Sequence, residues 1–289
     1  IYLFGVTGRL SCLDAGSGRE IWARQTAEDF SAPDGYFGAG STPVLVGDRL
    51  IVNVGGREDS AVVAFAADDG RTLWQSFDDA AAYSSPVAVI ISGRPRVVVV
   101  TRLHTVILNP ASGAVVQQFP FGARGPTVNG ASPVLLNSHV FVSASYRVGS
   151  VWANLQDPQE APVVRDESFL ATQYATPVVV GDRLIAVDGR QDVGTASLKC
   201  VDPASGETLW QKDGFDYGTL LKVDDEILFL TCSGELIRFA ADTQSYREIQ
   251  RSMILQSTPR AYRLPALANG RLYVRDDNEL RCLHAGVID

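Results

Sequence analysis

An all-β fold, a seven-bladed propeller of four-stranded antiparallel blades, is what this sequence predicts. Three observations point to it. A phrase of small residue, hydrophobic residue, Asp or Asn, a Ser/Gly turn and a strand ending in Trp recurs along the chain. A small-residue-Pro signal opens strands at the same spacing. Hydrophobic segments have strand length and alternation, with no helical period. A strand-built period of roughly 40–50 residues is the mark of propeller blades. An eight-bladed count is the alternative.

The elements follow in order. Strand A of each unit starts after the Pro signal, as in Ser41-Thr42-Pro43-Val44, Ser84-Ser85-Pro86-Val87, Ala131-Ser132-Pro133-Val134 and Ala175-Thr176-Pro177-Val178. Pro suits the first residue of a strand because no ladder donor is lost there. A turn follows, often Gly-Asp (Gly47-Asp48, Gly181-Asp182), then strand B, as in Leu50-Ile51-Val52-Asn53-Val54. Strand C precedes the Ser/Gly turn and strand D ends in Trp. The best copies are Cys12-Leu13-Asp14-Ala15-Gly16-Ser17-Gly18-Arg19-Glu20-Ile21-Trp22, Ala64 to Trp74, and Cys200 to Trp210; a further copy from Ile107 has Gln117 in place of Trp. Gly supplies positive φ in these turns, and Asp or Ser binds the turn's own backbone. The blades fall at about 1–26, 41–77, 84–121, 131–169, 175–215, 218–254 and 263–289, read as one domain over 1–289. The fourth and sixth are degenerate.

The terminal blades are incomplete: the first lacks strand A, and the last has A, B and C followed by Gly286-Val287-Ile288. Residues upstream of Ile1 would supply the missing strands; a short final strand at Val287-Ile288 is the rival. The absence of an initial Met and of a signal segment carries the same expectation of removed upstream sequence.

Composition narrows the function classes. Hydrophobic residues at 46% against 20% charged residues support a packed core rather than disorder. A net charge of -8 disfavours a nucleic-acid partner, which needs a basic stripe. No apolar run is long enough for a transmembrane helix. Cys12, Cys200 and Cys282 occupy one repeat position that elsewhere holds Ala64 and Ile107, so they read as packing residues; no Cys-x-x-Cys spacing suggests a metal.

The repeated unit resembles the pyrroloquinoline-quinone (PQQ) repeat of quinoprotein alcohol dehydrogenase-like propellers, most specifically at residues 12–22, 64–74 and 200–210. The resemblance implies that Trp22, Trp74 and Trp210 dock between neighbouring blades. It also implies an exported, periplasmic location in a bacterium. The family includes true dehydrogenases, the non-enzymatic scaffold lipoprotein of outer-membrane barrel assembly, and polyvinyl-alcohol-dehydrogenase-like propellers. Fold alone does not choose among them.

A dehydrogenase site of the methanol type, as the resemblance implies it, needs calcium held by Glu, Asn and Asp, an Asp base, a Trp on the quinone and an adjacent-Cys disulfide. The chain has no adjacent Cys pair, and docking leaves only Trp152. The acidic clusters Asp224-Asp225-Glu226 and Asp276-Asp277-Asn278-Glu279 read as solvated turns. His104, His139 and His284 suggest no metal triad. No catalytic or metal-binding residue is assigned and no cofactor is expected; PQQ and calcium belong to the alternative of an alcohol dehydrogenase.

In a propeller the D–A and B–C loops share one face. The D–A loops carry Tyr36, Tyr83, Arg124, Asn129, Gln173, Tyr174 and Tyr217. The B–C loops carry Arg57, Glu58, Asp59, Arg102, His104, Tyr146, Arg147, Asp188, Arg190 and Asp192. Tyr and Arg dominate binding hot spots, and loops on a rigid scaffold carry function. The candidate ligand-binding set is therefore Tyr83, Arg102, His104, Arg124, Asn129, Gln173, Tyr174, Asp188, Arg190 and Tyr217. The expected role is a binding or scaffold module taking a protein, small molecule or carbohydrate at this face, with carbohydrate stacking on Tyr83 or Tyr174.

Overall fold

Alternating apolar strands joined by Gly/Asp turns build seven antiparallel sheets, and the computed structural model is a seven-bladed β-propeller, not an eight-bladed one. It describes residues 1–33, 35–125, 127–256 and 261–284. The first blade is Tyr2–Phe4, Arg9–Leu13 and Glu20–Gln25, serving as strands B, C and D. The second is Val44–Val46, Arg49–Asn53, Val62–Ala66 and Thr72–Ser76, and the third Val87–Ile91, Arg94–Val100, His104–Leu108 and Val115–Pro120. The fourth is Val134–Leu136, His139–Ala144, Gly149–Asn154 and Val163–Arg165. The fifth is Val178–Val180, Arg183–Arg190, Thr195–Val201 and Thr208–Phe215. The sixth is Gly218–Val223, Glu226–Thr231, Glu235–Ala240 and Glu248–Met253. The seventh shows Ala266–Ala268, Arg271–Arg275 and Leu280–His284, strands A to C; the expected strand at Val287-Ile288 lies outside the described residues. Internal contacts divide the chain into two units, Ile1–Tyr174 and Ala175–Asp289. The helical content is one turn at Thr26–Asp29 and a 3₁₀ turn at Gln191–Val193.

Within each unit, inner strands are apolar on both faces where a sheet lies between two others. In the third blade Val97 and Val99 pack with Ile51, Val62 and Ala64 of the second. Val98 and Val100, on the opposite face, pack with Val140, Val142 and Val151 of the fourth. Period-two alternation thus divides one unbroken Val run between two neighbours. In the second unit Leu228 and Leu230 meet Leu272 and Val274 in the same way. Each fully buried Val or Leu contributes about 1.5–3 kcal/mol.

The repeat phrase has a physical reason beyond its own turn. The indole Nε1 of Trp22 donates to Ala67 O at 3.1 Å, that of Trp74 to Pro110 O at 3.0 Å, and that of Trp210 to Asp242 O at 3.0 Å. Every acceptor belongs to the C–D turn of the following blade. In the second and third blades the glycine of that turn lies against the ring, whereas Trp210 meets Tyr246 in the turn of the sixth, which has no glycine. A Cβ on Gly70 would stand 2.6 Å from Cε3 of Trp22, and one on Gly113 2.6 Å from Cε3 of Trp74. Both glycines have φ of +72°, so turn and indole impose the same residue. Two residues after the Trp, Arg24 donates to Gly70 O at 2.8 Å and Ser76 to Gly113 O at 2.6 Å. Gln117, at the Trp position of the third blade, keeps the bond: its Nε2 donates to Asn154 O at 2.9 Å.

Each of these D strands also shifts register, after Cys12, Ala64, Ile107, Cys200 and Arg238, and the fifth blade shifts a second time after Ala196. Such a bulge increases local twist and aims the next side chain. The fourth blade lacks both the consensus turn and the bulge, yet completes four strands. Asn154 Oδ1 accepts from the N–H of Gln156 at 2.9 Å and of Asp157 at 3.3 Å, which closes the turn without the Ser-Gly phrase. Its Trp152 is in strand C, stacked on His139 with centroids 4.6 Å apart.

Cys12 and Cys200 are buried, as a packing position requires, and so is Cys232. Cys282 departs from the expectation and is exposed: among the described residues its strand is the outer edge of a three-stranded sheet. Asp276 departs too. It is 1% exposed rather than solvated, and its Oδ1 accepts from the N–H of Asn278 and Glu279 at 2.7 and 2.8 Å.

Trp74→Ala is expected to cost about 2–4 kcal/mol, below the value for a fully buried aromatic because the ring is half-buried. Gly113→Ala is expected to cost less in that background than in the wild type, since the obstructing ring is gone. A urea-unfolding double-mutant cycle reads the coupling, and additive costs would refute the contact. Burial pushes the Cys200 thiol up to about 12, so it stays neutral at pH 8. Ellman's reagent should titrate Cys282 in the native protein and reach Cys12, Cys200 and Cys232 only after unfolding.

Candidate functional site

In the first unit, D–A and B–C loops of the first four blades surround a cavity of about 510 Å³. Its wall includes Tyr36, Phe37, Tyr83, Asn53, Asn129 and Tyr146, with Arg102 at one side. The D–A loop of the first blade reaches it through the Thr26–Asp29 turn, and Phe30 anchors that loop by packing on Phe65 with centroids 5.9 Å apart. Beyond Phe30 the loop presents Tyr36 at 89% exposure and Phe37 at 60%. Tyr83, half-buried, accepts a hydrogen bond from the Phe37 N–H at 3.1 Å and sets its ring edge to face with Phe37 at 5.7 Å. Tyr36 and Phe37 form a second edge-to-face pair at 4.7 Å.

The polar groups at this cavity are mostly committed to the scaffold. Arg102 Nη1 donates to Thr127 O at 2.8 Å and Thr127 Oγ1 at 2.5 Å, and Nη2 donates to Gly125 O. The guanidinium therefore ties down its own D–A loop. Asn129 is 2% exposed; its Nδ2 donates to Thr101 O and Arg102 O at 3.2 and 3.1 Å. Asn53, at the end of strand B of the second blade, is equally buried and donates to Val100 O at 2.9 Å. In both asparagines the Oδ1 is buried without a partner. Asn53 was not among the sequence candidates, although one amide at the end of the run Leu50-Ile51-Val52 is a signal that could have found it. Phe37 was also missed, because nothing local marks it as exposed.

The other candidates separate. His104 begins strand C of the third blade and does not line the cavity; its Nδ1 lies 3.0 Å from the buried Asp79 carboxylate, which also accepts from the Leu103 N–H and Thr101 hydroxyl. His104 thus anchors a turn. Arg124 is exposed and points to no partner among the described residues. Gln173 is buried and donates to the Tyr146 hydroxyl at 2.6 Å. Tyr174 packs on Gly130, where a Cβ would lie 2.8 Å from that of the tyrosine.

In the second unit, Asp188 pairs with the buried Lys199 ammonium at 2.7 Å. Arg190 pairs with Asp192 and holds that carboxyl below its usual range by hydrogen bonding. Tyr217 corrects an expectation. It is fully buried, and its hydroxyl accepts from the Ala175 N–H at 3.1 Å, so it packs the loop base and offers no surface to a ligand. A second cavity of about 550 Å³ lies between the sixth and seventh sheets, floored by Leu228, Leu236 and Leu272 and rimmed by Asp225, Arg238 and His284. Gln250 stands there at the register of the docking Trp, opposite Arg238, so no ring fills the space.

The residues present do not fit a calcium-bound quinone. Among the described residues, no group of three or more His, Cys, Asp or Glu side chains gathers to hold a metal. Trp22, Trp74 and Trp210 donate to neighbouring blades, and Trp152 is stacked on His139.

Tyr217→Phe, which leaves the Ala175 N–H without its acceptor, should cost about 1–3 kcal/mol. Tyr217→Ala should cost about 3–5 kcal/mol. Chemical denaturation checks both, and a neutral Tyr217→Ala would show that the residue is not a packing element.

Comparison with known proteins gives the lineage. The family model described as outer membrane protein assembly factor BamB matches residues 1–212. A quinohemoprotein alcohol dehydrogenase, ADH IIB of Pseudomonas putida, is 34% identical over 93 residues, 30% of this chain; the match spans 13% of that enzyme's length. Among solved structures, BamB from Moraxella catarrhalis superposes with a TM-score of 0.70 at 15% identity, covering 97% of this chain and 80% of that one. The β-propeller domain of Cps50 (Swd1) from Myceliophteria thermophila gives 0.56 at 14% identity, over 86% of this chain and 88% of that one. The designed protein Ika8 gives 0.55 at 10% identity, over 98% and 92%. No helix in the described residues is long and apolar enough to cross a membrane. With its repeat phrase, its sheets and a family match over most of its length in agreement, the chain belongs to the BamB-like family of PQQ-repeat β-propellers.

Proposed function

We propose that this chain is a non-catalytic binding module of the bacterial cell envelope, presenting its D–A and B–C loop face to a ligand or partner. The observation that carries the reading is the first-unit cavity, built mainly from those loops and rimmed by Tyr36 and Phe37 at 89% and 60% exposure. Exposed aromatics beside a concavity are what recognition surfaces present, whereas monomers ordinarily cover them. Membership of the BamB-like family supports a scaffold role and an extracytoplasmic location. The single-domain reading of the seven blades belongs to the same proposal. So does the role of Trp22, Trp74 and Trp210 as blade-docking residues, supported by their bonds to the following turns.

The dehydrogenase alternative is disfavoured by the donor set: the cavity wall holds no tryptophan and, among its described residues, no carboxylate. Incubation with PQQ and Ca²⁺ is expected to give neither a bound-quinone spectrum nor dye-linked alcohol oxidation. A photo-crosslinking residue at Tyr36 should yield adducts in the native cell, and one at Asp48, in the A–B turn, should not. Equal yields from both positions would overturn the loop-face reading.

A further inference from the structure

We infer that the first-unit cavity binds a short, electrically neutral saccharide. This inference rests on the loop-face reading and specifies its ligand. At about 510 Å³ the cavity has the size of a small-molecule site. Its chemistry is one-sided. Asn53 and Asn129, each 2% exposed, are among its lining residues, and their amide oxygens are buried beside it without a partner. Their Nδ2 groups are held by carbonyls of the third blade, so neither amide can turn over without setting oxygen against oxygen. A buried acceptor without a donor costs about 1–3 kcal/mol. A ligand whose hydroxyl or amide N–H reaches either oxygen removes that cost.

The charge pattern narrows the donor. The described lining residues include no carboxylate, and their one cation is Arg102. Its field disfavours an ammonium ligand. Its Nη groups already donate to Gly125 O and Thr127 O, and the orphan oxygens repel an anion, so a carboxylate or phosphate finds no cradle. What remains is a neutral group with hydroxyl or amide donors. The aromatic wall selects further. Tyr36, Phe37 and Tyr83 form an edge-to-face chain, held by the Phe37 N–H on the Tyr83 hydroxyl. An aromatic face is electron-rich and attracts the polarised C–H face of a pyranose, whose hydroxyls lie at its edge.

A matched set of probes tests this by isothermal titration calorimetry: glucose, maltose, cellobiose, N-acetylglucosamine and chitobiose as neutral sugars, with glucosamine and glucuronate as charged counterparts. At least one neutral sugar should bind, about tenfold or more tighter than either charged counterpart, a gap of about 1.4 kcal/mol. Tyr36→Ala, which removes a ring that is almost wholly exposed and so leaves folding intact, should weaken binding about fivefold or more, the scale of a stacking contact. Val128→Trp, which fills the cavity from its wall, should abolish it; where that variant does not fold, Tyr36→Ala carries the test.

Absence of binding by every neutral sugar, preference for a charged counterpart, or unchanged affinity in Tyr36→Ala would overturn the inference. So would selective binding of a neutral N-acetylated peptide amide in place of the sugars. Persistence of the Tyr36 photo-adducts in any of these cases would sink the saccharide assignment while leaving the loop-face reading standing; loss of both would sink the two together.

Discussion

The contact between an indole and the glycine of the following turn is the constraint from which the architecture follows. Gly70 and Gly113 cannot carry a Cβ, because Trp22 and Trp74 stand where it would be. The ring nitrogen finds its acceptor in the same turn. A single residue thus contributes apolar area, a directed hydrogen bond and a shape that only glycine matches. The junction tolerates variation where part of that contribution is kept. Gln117 gives up the ring but keeps the bond to Asn154 O. In the sixth blade Gln250 faces Arg238, and an open cavity results.

This contact also explains what could be read in the sequence. Junctions repeat, so their residues stand out at a fixed period, and strands, turns and blade limits follow from them. The degenerate fourth blade was legible from its Pro133 signal, whereas the turn closed by Asn154 was not. The loop face was harder. Sorting residues into D–A and B–C loops gathers Tyr83, Arg102 and Asn129 at one cavity. It does not reveal which way a loop side chain turns. Tyr217 and His104 resemble surface residues in sequence, yet Ala175 and Asp79, forty-odd and twenty-five residues away, take them inward. Loop direction is set by partners at such distances, and local pattern carries no record of them.

Polar side chains on that face mostly hold loops in place. Arg102 binds the carbonyls of its own D–A loop, Gln173 binds Tyr146, and Asp79 gathers Thr101, Leu103 and His104. Beyond these, the first-unit cavity is lined by aromatic rings and by two asparagines whose amide oxygens are buried without a partner. A rigid wall of this kind loses little entropy on recognition, which suits modest affinity combined with selectivity.

The indole of one blade chooses the glycine of the next, and this sets the natural unit of exchange among such proteins. A graft cut at the Pro signals would part Trp22 and Trp74 from the glycines shaped to receive them. A graft cut within the sheets, from one strand D through the C–D turn of the next blade, would carry the matched pair intact. Recombination among these propellers should therefore run one strand, a quarter of a repeat, out of phase with the blades themselves, and chimaeras designed in that frame should fold where blade-for-blade swaps fail.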